Sequence, residues 1–275
     1  MRKTNRIIDF HTHVFPEKIA GRTLEALREG MRRESGTDRV PAFDGTAAGL
    51  REVMKKSGVD ISVILPIVTK PKQTEHINAY AAEVNTAYGD LVSFGSVHPA
   101  DPTSPETVKR LAQAGFRGIK LHPEFQETYI DSEETLAVLR SAASCGLAVT
   151  VHAGADIGLP PPVHCTPEMM LRVIDRIPDL TFIAAHLGGW MMWDKVAELL
   201  CDTPILFDTA FIRDFIEPSR AVDIITSHGS EKILFGSDCP WENPSDTLEF
   251  IKALSLTDED KRRILGGNAE KILGI

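Results

Sequence analysis

The chain has 275 residues, 43% of them apolar and 25% charged, with a formal net charge of -9 at neutral pH. That length suits a single large domain with a full core, and the acidic balance argues against a nucleic-acid partner, which calls for basic stripes. The opening MRKTNRIIDFHTHVF lacks the apolar stretch of a signal peptide, and no apolar run approaches the roughly 20 residues of a membrane span. In chain order, one pattern then recurs eight times: a short apolar run, a turn, an amphipathic stretch. The runs are RIIDFHTHVF (6–15), DISVILPIV (60–68), LVSFGSVHP (91–99), GIKLHP (118–123), AVTVHAG (148–154), TFIAAHLGG (181–189), ILFDTAF (205–211) and ILFGSDCPW (233–241). Rich in branched and aromatic residues and too short for good helices, they read as buried strands.

The stretches between them read as helices. Thr166 followed by Pro167 is an N-cap with proline at the first helical position. Asp131 and Glu134 have capping-box spacing, and Gly115 and Gly146 sit where helix C-caps belong. Loops are predicted over 32–43, in the first crossover, and over 154–165; the chain after Thr257 is a final helical region. Strands alternating with helices imply a parallel sheet. Eight such units can close into a (β/α)8 barrel, regular or distorted, here one domain over 1–275 with a C-terminal helical extension. The structural alternative is an open doubly wound sheet, but no glycine-rich phosphate loop opens a helix.

Six of the nine histidines fall at or just past strand ends: His11, His13, His98, His122, His152 and His186. Barrel enzymes place their chemistry at that face. In DFHTH, strict alternation puts Asp9, His11 and His13 on one side of the strand, where two imidazoles can share an ion. His152 ends the fifth run and His186 the sixth. Asp238 follows FGS on the eighth, where a carboxylate is costly to bury unless paired or bound to a metal. Cys145, Cys165, Cys201 and Cys239 are scattered without a CxxC pair, so a reducing cytoplasm is expected, with Cys239 a small buried filler beside the Asp238 motif. Trp190, Met191, Met192 and Trp193 suit core packing or a subunit contact, which makes a homodimer one expectation, and Trp241 is placed to wall a pocket.

The ordered motifs DFHTH, VHAG, HLGG and FGSDCPW, with GGNAEKILG at the end, resemble the amidohydrolase superfamily over nearly the whole chain. Within it they resemble the amidohydrolase-2 branch, which holds aminocarboxymuconate-semialdehyde decarboxylase-like and γ-resorcylate decarboxylase-like enzymes beside hydrolases. The resemblance implies that His11, His13 and His152 are metal ligands and that Asp238 ligates the metal or holds its water. It implies that His186 is a catalytic acid/base, or a second-metal ligand in two-metal members. One divalent ion per chain is expected, zinc first, or two if Lys120 is carboxylated as a bridge. The favoured reading of Lys120 is instead an ammonium that holds a substrate carboxylate; a structural ion pair is the third. His122 and His98 are placed to bond substrate or to support the ligands. Arg213 suits either an anionic substrate group or a surface ion pair. The leading expectation is hydrolysis of an amide, ester or lactone of a small carboxylate-bearing molecule by metal-activated water. The alternative is non-oxidative decarboxylation of a small unsaturated or aromatic acid; an inactive metal-binding protein is the remaining one.

Overall fold

The computed structural model describes residues 6–275, so the five residues before them, and with them part of the reading of the N-terminus, lie outside the described residues. The strands are β1 (Ile8–Thr12), β2 (Ile61–Ile64), β3 (Leu91–Ser93), β4 (Gly95–Ser96), β5 (Gly118–Leu121), β6 (Ala148–Val151), β7 (Phe182–Ala184), β8 (Leu206–Asp208) and β9 (Ile233–Leu234). Within each sheet they pair in parallel in chain order. β3 and β4 are halves of one predicted run, and Phe94 between them donates its N–H to the Ile64 carbonyl at 2.9 Å. The ends of the sheet also join. Phe10 N–H reaches the Phe235 carbonyl (2.7 Å), Asp238 N–H that of His11 (2.8 Å), and His13 N–H that of Cys239 (2.8 Å). The eight predicted runs thus close into a (β/α)8 barrel, and the open doubly wound alternative falls.

Closure sorts the apolar residues into two layers. Ile119, Leu121, Val149, Val151 and Phe207 join the larger cluster, packed against helices. Phe10, Val63, Phe94, Ala148 and Ile183 form a smaller cluster with Ala269 and Leu273 of the helix Asn268–Leu273. The C-terminal extension therefore closes the barrel at the end away from the histidines. Gly266 is required there: a Cβ at that position would meet the Arg6 carbonyl oxygen at 2.0 Å. Among the described residues, no helix is long and apolar enough to cross a membrane.

Several local expectations shift. Strict alternation fails in β1, because its register against β2 advances from Asp9↔Ser62 to Thr12↔Ile64, three residues against two. The bulge takes Asp9 out of the set with His11 and His13: its carboxylate instead accepts from Ser237 Oγ (2.5 Å) and Ser237 N–H (2.9 Å). The helix predicted to end before Arg32 runs over Glu17–Ser35 and stops at Gly36, which takes the left-handed conformation (φ 70°). Arg28 and Arg32 extend it by sharing Asp38. Ser132, not Asp131, caps the helix Glu133–Ser144, while Asp131 takes Arg172 at 2.7 Å. Thr166 does cap its helix, by accepting from Met169 N–H.

Candidate metal centre

The strand ends at one mouth of the barrel carry a chain of buried polar side chains. His11 is oriented first: its Nδ1 lies 2.8 Å from Asp208 Oδ2, at the end of β8. The other oxygen of Asp208 accepts the backbone N–H groups of His186 (2.9 Å) and Ala210 (3.0 Å). His13 is oriented by the Leu65 carbonyl, 2.8 Å from its Nδ1. With both Nδ1 atoms donating, each Nε2 presents a lone pair, and both lone pairs turn toward Asp238. Its Oδ1 lies 3.0 Å from His13 Nε2 and 3.6 Å from His11 Nε2. Ligand atoms of His11, His13 and Asp238 all lie within 4.8 Å of one another. Two nitrogen lone pairs and a carboxylate converging in a buried site are an arrangement that a divalent cation relieves, so this group fits one.

Burial pushes the Asp238 carboxyl up, but His11, His13 and His186 outweigh it and hold the group well below the usual carboxylate range. Burial, reinforced by Lys120, keeps His11 neutral, the form that binds metals. Asp238 and His186 both adopt left-handed backbone angles (φ 65° and 60°), uncommon for residues with a Cβ.

Lys120, on β5, is 1% exposed. Its Nζ lies 3.4 Å from His11 Nε2. Burial pulls its pKa down to about 8, against the pull of Asp208 and Asp238. A cation is thus held beside the triad, on the lone-pair side of His11.

His152 is not in that triad. Its Nδ1 meets His186 Nε2 at 3.0 Å, and its Nε2 lies 2.9 Å from the Ala155 carbonyl. His186 Nδ1 in turn lies 2.8 Å from the Ala210 carbonyl. Three contacts need three protons, whereas two neutral imidazoles supply two. Burial pulls both groups down to about 4, so they are neutral at ordinary pH and one contact goes unmade. His152 is buried and stacks on His122, ring centroids 4.2 Å apart. It also belongs to a second group with His122 and Asp156, whose Oδ2 lies 3.5 Å from His122 Nε2 and 3.7 Å from His152 Nε2.

These groups form the floor of a cavity of about 700 Å³, reached by His11, His13, Lys120, His122, His152, His186 and Asp238. Trp190 and Trp241 wall it, as expected for Trp241; Met191 beside Trp190 is exposed, and Trp193 is buried with its indole N–H on the His186 carbonyl. Arg213 does not line the cavity: it pairs with its neighbour Asp214 at 3.2 Å, so the substrate-binding expectation for it is not met. His98 also lies outside the lining, with its Nδ1 accepting from Ala100 N–H. Cys239 is fully buried and its thiol is pushed well up by burial, as a filler would be.

Asp208 and Asp156 were missed by the sequence reading. Asp208 had a signal, an acid inside the apolar run ILFDTAF; Asp156, in the loop after β6, had none.

The amidohydrolase family model matches residues 8–275. A γ-resorcylate decarboxylase of a Polaromonas species is 25% identical over 127 residues, 40% of this chain and 39% of that protein, so the match spans less than half of the relative. Among solved structures, a TIM-barrel protein of uncharacterised function from Bordetella bronchiseptica aligns with a TM-score of 0.78 at 19% identity, covering 98% of each chain. The 5-carboxyvanillate decarboxylase of Novosphingobium aromaticivorans, with bound manganese, aligns at 0.73 and 16% identity over 99% of this chain and 98% of its own. These comparisons correct the leading expectation of a hydrolase: the curated relative and the neighbour of named activity are decarboxylases.

Proposed function

The chain belongs to the amidohydrolase family, and from that premise we propose that it is a metal-dependent, non-oxidative decarboxylase of an aromatic or unsaturated acid with a hydroxyl beside its carboxylate. The observation that carries this reading is Lys120, a buried cation against the His11–His13–Asp238 group on the floor of a cavity with aromatic walls. That floor suits an anionic head, and the walls suit a flat ring. Both named relatives act on acids of this kind: γ-resorcylate and 5-carboxyvanillate each carry a carboxylate next to a phenolic hydroxyl.

His11, His13 and Asp238 would hold one divalent ion per chain, with His152 as the fourth donor, because the contacts it shares with His186 are short of one proton. The ion would supply a Lewis-acid anchor for the carboxylate and the neighbouring hydroxyl. Zinc is the ion we assign from the donor types; manganese, bound in the Novosphingobium enzyme, is its competitor. Lys120 pairs with the substrate carboxylate. His186 is the acid. The Ala210 carbonyl fixes its Nδ1–H, so its Nε2, unprotonated in the neutral ring, first takes a proton from water and is the atom that transfers it. Burial keeps that nitrogen weakly basic, and it gives the proton up to the carbon bearing the carboxylate. The carbon–carboxylate bond then breaks, its electron pair restores the ring, and carbon dioxide leaves. Water returns the proton to His186. The substrate is a small molecule, and four free cysteines fit a reducing, cytoplasmic setting.

Reaction in deuterium oxide tests this. Incubation of the metal-loaded protein with 2-hydroxybenzoic and 2,6-dihydroxybenzoic acids is expected to give phenols with one deuterium at the carbon that lost the carboxylate, read by proton NMR. Hydrolysis of amide, ester or lactone controls without any phenol from the acids would refute the proposal.

A further inference from the structure

The cavity is larger than the head group it anchors. A cavity of about 150 Å³ is enough to hold benzene, against the roughly 700 Å³ found here. Part of the lining away from the metal centre comes from one face of a single helix. Ile19, Thr23, Leu27 and Met31, spaced at successive turns of the helix Glu17–Ser35, all face the cavity. This helix lies across the loop after β6, where Gly30 and Gly158 meet closely enough that a Cβ on Gly30 would stand 3.7 Å from the Gly158 carbonyl oxygen. Ile157 and Leu159 of that loop line the same space. Ile19, Leu27, Ile157 and Leu159 line the cavity and remain only partly buried, so part of this apolar surface is left uncovered by the described residues. It is continuous with the floor carrying Lys120 and Asp238.

We infer that the space under the helix Glu17–Ser35 is a subsite for an aliphatic tail, so that the acid taken at the metal centre carries a straight alkyl substituent rather than a bare ring. This rests on the reading of the floor as the seat of a carboxylate. A bare ring would leave the partly exposed Ile19 and Leu27 against water. A tail laid along them removes apolar surface from water on both partners. The floor holds the head by charge and the roof holds the tail by burial, so the two contributions can be measured separately.

The probe is a series of 2-hydroxybenzoic acids carrying methyl, propyl, pentyl or heptyl groups on the ring carbon para to the hydroxyl. Their equilibrium binding to the metal-loaded protein is read by calorimetry and by fluorescence of Trp190 and Trp241. Affinity is expected to rise about fourfold for each methylene added, until the chain outgrows the roof. Leu27→Trp and Thr23→Phe each fill the space from the helix side, and in whichever keeps the parent's metal content and melting temperature the gain for the pentyl and heptyl acids is expected to vanish. Affinity that stays flat or weakens along the series, or a gain that survives in the filled variants, would overturn the subsite. If the series tightens but no member loses carbon dioxide, the subsite stands and the decarboxylase reading fails. If the bare acid loses carbon dioxide and the series is flat, the reaction stands and the subsite fails.

Discussion

Asp208 would act on a metal ion through His11: by accepting the Nδ1–H, it leaves the Nε2 lone pair turned toward Asp238. Such carboxylate partners raise the basicity of the ligand and fix its ring. Asp208→Asn is therefore expected to weaken metal affinity roughly 10- to 100-fold, measured by competition with a chelating dye; an unchanged affinity would detach Asp208 from the site. Lys120 lies on the Nε2 side of the same imidazole, its Nζ 3.4 Å away. Lys120→Met is expected to raise KM for the acid by at least tenfold while metal content stays near one per chain, as elemental analysis can check. A fall in content from two ions to one would identify a carboxylated bridge instead. His11, His13, His152, His186, Lys120 and Asp238 could be grouped from the sequence because each lies in or shortly after a strand, and strand ends meet at one mouth of a barrel. What the sequence hid was pairing. It did not show that His152 is tied to His186 rather than grouped with His11, nor that Asp156 reaches His122. For Arg213 the warning was present, since Asp214 is its neighbour in the chain.

At the scale of elements, periodicity revealed the strands and most of the helices, but local competition decided their ends. The β1 bulge depends on pairing with β2, which no stretch of β1 alone encodes. Ser132 wins the cap over Asp131 because Asp131 is drawn to Arg172, 41 residues away in sequence. The helix Pro218–His228 docks through its last residue: His228 stacks on Phe207 with ring centroids 3.9 Å apart, and its Nε2 donates to the Ile205 carbonyl at 2.7 Å. Burial lowers its pKa to about 4. In the unfolded chain it takes a proton near its ordinary 6.5, so its stabilising effect is full above that pH and is lost as pH falls toward 4. His228→Phe is expected to be less stable than the parent by about 1 kcal/mol at pH 8 from the lost hydrogen bond. That deficit is expected to shrink between about pH 6.5 and 4 in denaturant melts, and a deficit independent of pH would contradict the burial argument. Gly266→Ala, with its Cβ driven onto the Arg6 carbonyl, is expected to cost about 1–3 kcal/mol in the same assay.

For the whole molecule, the repeated strand–helix unit made the barrel legible before any contact was known, because eight parallel staves close once each crossover is helical. The reaction was not legible in the same way. The motifs that hold a metal at the barrel mouth serve water attack and carbon–carbon cleavage alike, so they do not separate the two reactions, and the expectation of hydrolysis is corrected by the decarboxylase relatives. The roof over the cavity was hidden too, since the reach of the helix Glu17–Ser35 onto the loop after β6 is a contact between segments more than a hundred residues apart. Loss of carboxyl carbon, followed with and without the ion, tests the central claim most directly. With 2,6-dihydroxybenzoic acid labelled with carbon-13 in its carboxyl group, the metal-loaded protein is expected to release labelled carbon dioxide. The chelated protein is expected to release none, and the reconstituted protein to recover. Release that persists after the metal is stripped, or no release by the loaded protein from any hydroxylated aromatic or unsaturated acid, would contradict it.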